Sequence, residues 1–171
     1  MEAICVVPMI GIGNAVSSYT AQNIGAQKEK RVVEGYHAAN KLVAACAFLI
    51  FLVLEVFNRK IIAIFLGADG TDTAISTGCN YLGFMGCCFC LIGFKMAVDG
   101  LLRGAGDMKV FTIANLVNLF IRVFIAMVFA PRYGISMVWY AVPLGWFSNW
   151  VLSFIQYRTG KWRSIFEKTT R

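Results

Sequence analysis

The sequence predicts an all-α integral membrane protein, a bundle of about five transmembrane helices, and three observations predict it. Of 171 residues, 58% are hydrophobic and only 15% charged, too few polar side chains to solvate the surface of a soluble domain of that length. The apolar residues gather into long blocks, and a helix that is apolar all round either lies deep in protein or faces lipid. In so short a chain only lipid surrounds that many blocks. The cations, finally, collect in the loops at alternate block ends, the pattern that orients membrane proteins.

The first block runs from Ala3 to about Tyr19 and contains Pro8, Gly11 and Gly13. At ~17 residues it is marginal for a span, because crossing ~30 Å of hydrocarbon takes about 20 residues at 1.5 Å each. Glu2 stands where a secretory signal carries basic residues. The block reads as a helix entered partway along, and it predicts an upstream part. A polar stretch from Gln22 to His37 follows, with Lys28, Lys30 and Arg31. The second block spans about Ala38 to Phe57, and Asn58-Arg59-Lys60 interrupts it before Ile61 to Leu66. So short an apolar run cannot cross a bilayer, which predicts a separate interfacial helix there.

Gly67, Asp69, Gly70 and Asp72 predict a turn before the third block, about Ala74 to Leu102. That block closes in Arg103-Gly104-Ala105-Gly106-Asp107, whose glycines favour a tight turn. The fourth block is Val110 to Ala130, ended by Pro131. The fifth runs from about Gly134 to Tyr157, with Trp139, Tyr140, Trp146 and Trp150 suited to the headgroup level. Residues 1–158 thus read as the transmembrane bundle and 159–171 as a basic tail.

If the loops alternate sides, one side receives Lys28, Lys30, Arg31, Arg103, Lys109, Arg158, Lys161, Arg163, Lys168 and Arg171, and the other only Arg59, Lys60 and Arg132. By the positive-inside rule the first set is cytoplasmic, and with it the C-terminus of a multi-pass protein.

Several function classes fall away. The net charge of +7 does not mark a nucleic-acid reader, since such a reader needs its cations on a solvated face. Cys5, Cys46, Cys79, Cys87, Cys88 and Cys90 lie in or beside apolar runs. Cys87-Cys88-Phe89-Cys90 lacks zinc-ligand spacing, and the single histidine, His37, is distant. Small buried thiols are expected, with no metal, no cofactor and no disulfide. The sequence carries no nucleophile-base pair and no phosphate loop, so an enzyme is not expected.

Ionisable groups inside spans are functional candidates, because lipid penalises them by several kcal/mol or more, roughly. Lys95, Asp99 and Arg103 stand four apart on the third block, so each side chain can neutralise the next. Asp99 is then either part of a staple at the helix end or a protonatable, sodium-sensitive group lining a cavity. Arg122 shares a face of the fourth block with Asn115 and Asn118, and such a stripe must point at protein or water. Interhelical bonding and contact with a transported molecule both explain it. Asn14 and Ser18, and Asn149, Ser153 and Gln156, form weaker stripes. Gly11, Gly83, Gly86 and Gly93 suit close helix approach, and Glu55 is spaced to pair with Arg59.

Two loop sequences are more particular. Gln22-Asn23-Ile24-Gly25-Ala26, followed by Arg31 and Gly35, resembles the loop after the second helix of each half in multidrug and toxin extrusion (MATE) transporters. Leu102-Arg103-Gly104-Ala105-Gly106-Asp107 resembles the loop joining the fourth and fifth helices of a half. Two long apolar blocks separate them, as in that family.

The resemblance implies the eighth to twelfth helices of a twelve-helix fold. Its implied function is export of organic cations and drugs across the plasma membrane against entry of Na+ or H+. The implied partners are the lipid bilayer, a small organic substrate and the N-terminal half with the seventh helix, which this sequence lacks. The motif residues are then turn and packing elements of a bundle that rocks between states. Two other readings remain: a flippase of lipid-linked oligosaccharides from the same superfamily, and a membrane remnant that transports nothing.

Overall fold

A computed structural model describes residues 2–66, 71–134 and 136–163. The predicted turn at residues 67–70 and the tail beyond Arg163 lie outside the described residues. The helices are α1 (Glu2–Gly25), α2 (Glu29–Leu66), α3 (Asp72–Gly104), α4 (Met108–Val128), a short α5 (Ala130–Tyr133) and α6 (Ser136–Thr159), followed by a 3-10 turn, Lys161–Arg163. The expected all-α architecture is what the chain forms. Ile4–Gly25, Glu29–Phe65, Asp72–Gly104 and Met108–Val128 are long and apolar enough to cross a bilayer. With 24 residues α6 has the length for a fifth span, but Ser148, Asn149, Ser153 and Gln156 make it more polar.

Two boundaries differ from the expectation. The polar stretch Gln22 to His37 is helical on both sides of a connection that covers only residues 26–28. Its polar side chains are carried on the end of α1 and the start of α2. The triplet Asn58-Arg59-Lys60 does not interrupt α2, so Ile61 to Leu66 is no separate interfacial helix. With neither Gly nor Pro, the triplet leaves the backbone bonds of the helix intact. The 38 residues of α2 reach about 57 Å, well past ~30 Å of hydrocarbon. A methyl at Gly78 would touch Ile62, so this far end of α2 still packs on α3.

The two motifs resembling family loops turn out to be one device used twice. Lys28 N–H bonds to Asn23 C=O (2.8 Å) and Gln27 N–H to Ile24 C=O (2.9 Å). Likewise Asp107 N–H bonds to Leu102 C=O (2.9 Å) and Gly106 N–H to Arg103 C=O (3.1 Å). Each pair is a Schellman cap, which satisfies the last carbonyls of a helix. Its left-handed residue is Gln27 in one case and Gly106 in the other, at φ 57° and 81°. Gln22, Asn23 and Gly25 therefore belong to the last turn of α1 rather than to a loop, and Ala26 opens the turn. At its start α3 is capped by Thr71, whose Oγ1 accepts from Ala74 N–H.

Helix α3 contacts α1, α2, α4 and α6, while α4 packs mainly against α6. Glycines set the approach. A methyl at Gly100 would run into the carbonyl oxygen of Gly13, and one at Gly104 into that of Ser17. One at Gly93 would meet Val43 and Met9, and one at Gly86 would meet Phe51. Of the glycines expected to do this, Gly11 faces open space and Gly83 only nears Glu55. The large apolar side chains left exposed, such as Phe48, Val56, Phe120 and Met127, suit a lipid-facing perimeter. The cysteines are half-buried, and Cys87 is exposed, rather than fully buried as expected.

The 3-10 turn is docked against the bundle. Trp162 is fully buried, stacks on Tyr157 and donates its indole N–H to the Tyr157 carbonyl at 3.1 Å. Tyr157 in turn contacts Tyr36 of α2 at 4.7 Å between centroids. Arg163 pairs with Glu29 at 2.8 Å, with both side chains about half exposed.

Two predictions follow from this packing. Gly100→Leu forces α1 off α3 and lowers stability by more than the ~1–3 kcal/mol of ordinary overpacking, since it meets backbone; unfolding in detergent micelles measures this, and Gly11→Ala stays within about 0.5 kcal/mol. Trp162→Ala costs about 3–5 kcal/mol, against at most ~1 kcal/mol for Arg163→Gln, whose ion pair is solvent-screened.

Candidate functional site

The polar groups of α3 converge with those of three neighbouring helices. Lys95 and Asp99, one helical turn apart, form an ion pair of 2.9 Å, with 6% and 3% of their surface exposed. Asn115 of α4 accepts from Lys95 Nζ at 2.9 Å and donates from Nδ2 to Asp99 Oδ2 at 3.5 Å. From α6, Ser153 donates to Asp99 Oδ1 at 2.7 Å. Asp99 therefore receives hydrogen bonds from Lys95, Asn115 and Ser153 through both of its oxygens.

A low-dielectric site explains this saturation. An unpaired carboxylate there is costly, and a pair is tolerated when its remaining lone pairs are hydrogen-bonded. The same Asn115 also donates to the Phe111 carbonyl at 2.8 Å, which fixes its amide on α4.

Arg103 does not complete the ladder expected on α3. It turns to α1, where Nη2 donates to Asn14 Oδ1 at 2.8 Å and Nε to Ser17 Oγ at 3.4 Å. The close approach of α1 and α3 through Gly104 and the Ser17 backbone brings Ser17 within reach. Its neighbour Ser18, which the sequence stripe favoured, is exposed. Past the end of α3, Asp107 accepts from Gln156 of α6 at 2.6 Å.

The fourth-helix stripe divides. Asn115 joins the charged pair, whereas Asn118 and Arg122 lie over Gly145 of α6. Asn118 Oδ1 is buried without a hydrogen-bond partner, and Arg122 is exposed. Neither reaches the site: at 1.5 Å per residue they stand about 4.5 and 10.5 Å further along α4 than Asn115, against Gly145 of α6. Asn149, one turn from Ser153, has its Oδ1 3.4 Å from a Ser153 hydroxyl whose single proton goes to Asp99, and its own Nδ2 is buried without a partner among the described residues. Glu55 does not pair with Arg59; among the described residues the ion pairs are Lys95–Asp99 and Glu29–Arg163.

A cavity of 280 Å³ opens over the pair, lined by Ile10, Gly13, Asn14, Lys95, Met96, Asp99, Gly100, Arg103, Phe111 and Asn115. It lies against α3, with α1 on one flank and α4 on the other. Four of the expected residues, Asn14, Lys95, Asp99 and Asn115, therefore share one space with Arg103, which was expected as a motif residue and as the end of the charge ladder. Ser153 and Ser17, which hold Asp99 and Arg103 from behind, had only a helical stripe to signal the first and nothing to signal the second.

A polar cluster at a cavity among apolar helices suits a carrier or channel, and the family comparison narrows this. The MatE family model matches residues 1–128. The chain belongs to the MatE family. MatE membership and the several apolar spans together make it a multi-pass membrane protein. A relative in Bacillus subtilis (strain 168), named "Probable multidrug resistance protein YpnP", is 25% identical over 166 residues. That alignment covers 96% of this chain and 37% of the relative, so the chain spans just over a third of the length of the protein it matches. No solved structure matches it. Within the MatE match lie Lys95, Asp99, Arg103 and Asn115, whereas Ser153 and Gln156 on α6 fall beyond it.

Removing one partner of the pair is predicted to leave a buried charge. Lys95→Met and Asp99→Leu each destabilise by about 3–5 kcal/mol, and the double variant by clearly less than their sum. Reversible unfolding in micelles measures the cycle; additive losses would show that the two groups act separately.

Proposed function

We propose that this bundle is part of a secondary active antiporter, exporting drugs or other small organic compounds across the plasma membrane against entry of Na+ or H+. The observation that carries the reading is the Lys95–Asp99 pair, buried in a bilayer-crossing segment yet lining a cavity. Ionisable groups so placed mark substrate and ion pathways. Family membership supports the class, and the printed name of the Bacillus subtilis relative supports drugs as cargo. The remaining length of such a protein would complete the translocation path.

The arrangement suits coupling. Asp99 belongs to α3, but Asn115 and Ser153 that hold it belong to α4 and α6. A shift of either helix relative to α3 removes a donor from the carboxylate and leaves a lone pair open to an entering ion. Charge binding and helix position then bias one another, as reciprocal coupling requires. The count of loop cations supports a cytoplasmic side bearing Lys28, Lys30, Arg31, Arg103 and Lys109, with the C-terminus on the same face.

Asp99→Asn is predicted to slow gradient-driven efflux of a fluorescent drug by at least about tenfold in cells expressing the transporter, the ~1.4 kcal/mol equivalent of one lost coupling contact. Efflux with wild-type rate and ion dependence would remove Asp99 from the mechanism. A reporter fused after Arg171 should fluoresce or titrate as a cytoplasmic protein; periplasmic or external activity would reverse the orientation.

A further inference from the structure

The charges that line the cavity select a substrate class, an inference that rests on the antiport reading. Lys95 and Arg103 are cations, Asp99 is the single carboxylate, and the remaining lining residues are neutral. The cavity wall thus carries one net positive charge. Its hydrogen-bonding capacity leans the same way. Both oxygens of Asp99 are taken, Oδ1 by Ser153 and Oδ2 by Lys95 and Asn115. The Lys95 ammonium already occupies the position in which an incoming cation would have to sit.

The donors, by contrast, are not used up. Arg103 offers five N–H groups, and its protein partners are Asn14 on Nη2 and Ser17 on Nε. Among the described residues its Nη1 has no partner, with the Phe111 ring 5.9 Å from the guanidinium carbon as an apolar wall. Lys95 has three N–H groups and gives two, to Asp99 and Asn115.

We propose that this cavity receives organic solutes through a carboxylate group, seated on Arg103 with Lys95 adding to the field, and that it disfavours organic cations. A planar guanidinium matches a carboxylate in two-point geometry. The 280 Å³ of space holds a carboxylate and the ring that bears it, and the open side of the cavity leaves room for the rest of a larger solute. A cation entering the same space meets net positive charge and a carboxylate that already accepts three hydrogen bonds, one of them from an ammonium. The organic-cation substrates that the family resemblance implies are thereby the disfavoured class for this site.

The test compares fluorescein, a carboxylate dye, with ethidium, a cationic dye, on the transporter in membrane vesicles and in nanodiscs. Gradient-driven uptake is expected to show a KM for fluorescein at least about tenfold below that for ethidium. Fluorescence anisotropy in nanodiscs is expected to show the same preference in Kd, and this arm needs no transport. Arg103→Gln should collapse the ratio of the two constants to within about twofold, and Arg103→Lys, which keeps the charge but not the two-point fork, should keep only part of it.

Tighter ethidium binding, or a ratio that Arg103→Gln leaves intact, overturns the proposal while leaving antiport standing. Carboxylate-selective binding without flux of either dye upholds the site and overturns antiport. If Arg103→Gln does not reach the membrane, the wild-type preference and the Arg103→Lys ratio still decide.

Discussion

A carboxylate placed among apolar helices must find every partner within the protein, and Asp99 shows what that requirement builds. Hydrocarbon offers no water to replace a missing hydrogen bond. Lys95 supplies the counter-charge from the same helix, but geometry lets one neighbour on α3 reach only part of the carboxylate. The rest comes from Asn115 on α4 and Ser153 on α6. A single charged group thereby ties three helices to one another, and the interface between α4 and α6 is held in register by the need to meet it.

On another face of α3 the constraint is steric. Gly86, Gly93 and Gly100 recur every seven residues, and Gly104 follows one turn later. Their missing side chains let α2 and α1 come close, the means by which helices associate where the hydrophobic effect gives no drive. The polar row Lys95, Asp99 and Arg103 runs beside this glycine row. One helix therefore presents backbone to α1 and charge to α4 and α6, and the cavity forms where the two faces meet. Arg103 sits at the seam: near enough to α1 to bond Asn14 and Ser17, it is drawn away from Asp99.

Much of this was legible in the residues themselves. The all-helical membrane class, the long apolar spans and the tight turn at Gly104 and Gly106 follow from local properties, namely block length, composition and glycine content, whereas the turn after Gly25 was signalled only by the family resemblance. The polar triplet Asn58-Arg59-Lys60 misled, because hydropathy reports what surrounds a helix and not whether its backbone bonds continue. The stripe of Asn115, Asn118 and Arg122 misled in part for a related reason. Shared spacing puts side chains on one face of α4, but α6 covers part of that face and leaves only Asn115 to α3.

The sequence alone determined the class of environment and the inventory of charges, since each depends on side-chain chemistry summed over neighbouring positions. Only the tertiary structure decided which charges meet. Ser17 lies 86 positions from Arg103 and Ser153 lies 54 from Asp99, and no periodicity within one helix encodes a bond to another. Those pairings depend on how closely α1, α3 and α6 approach and at what rotation, which the glycine row and the demands of one buried carboxylate settle together.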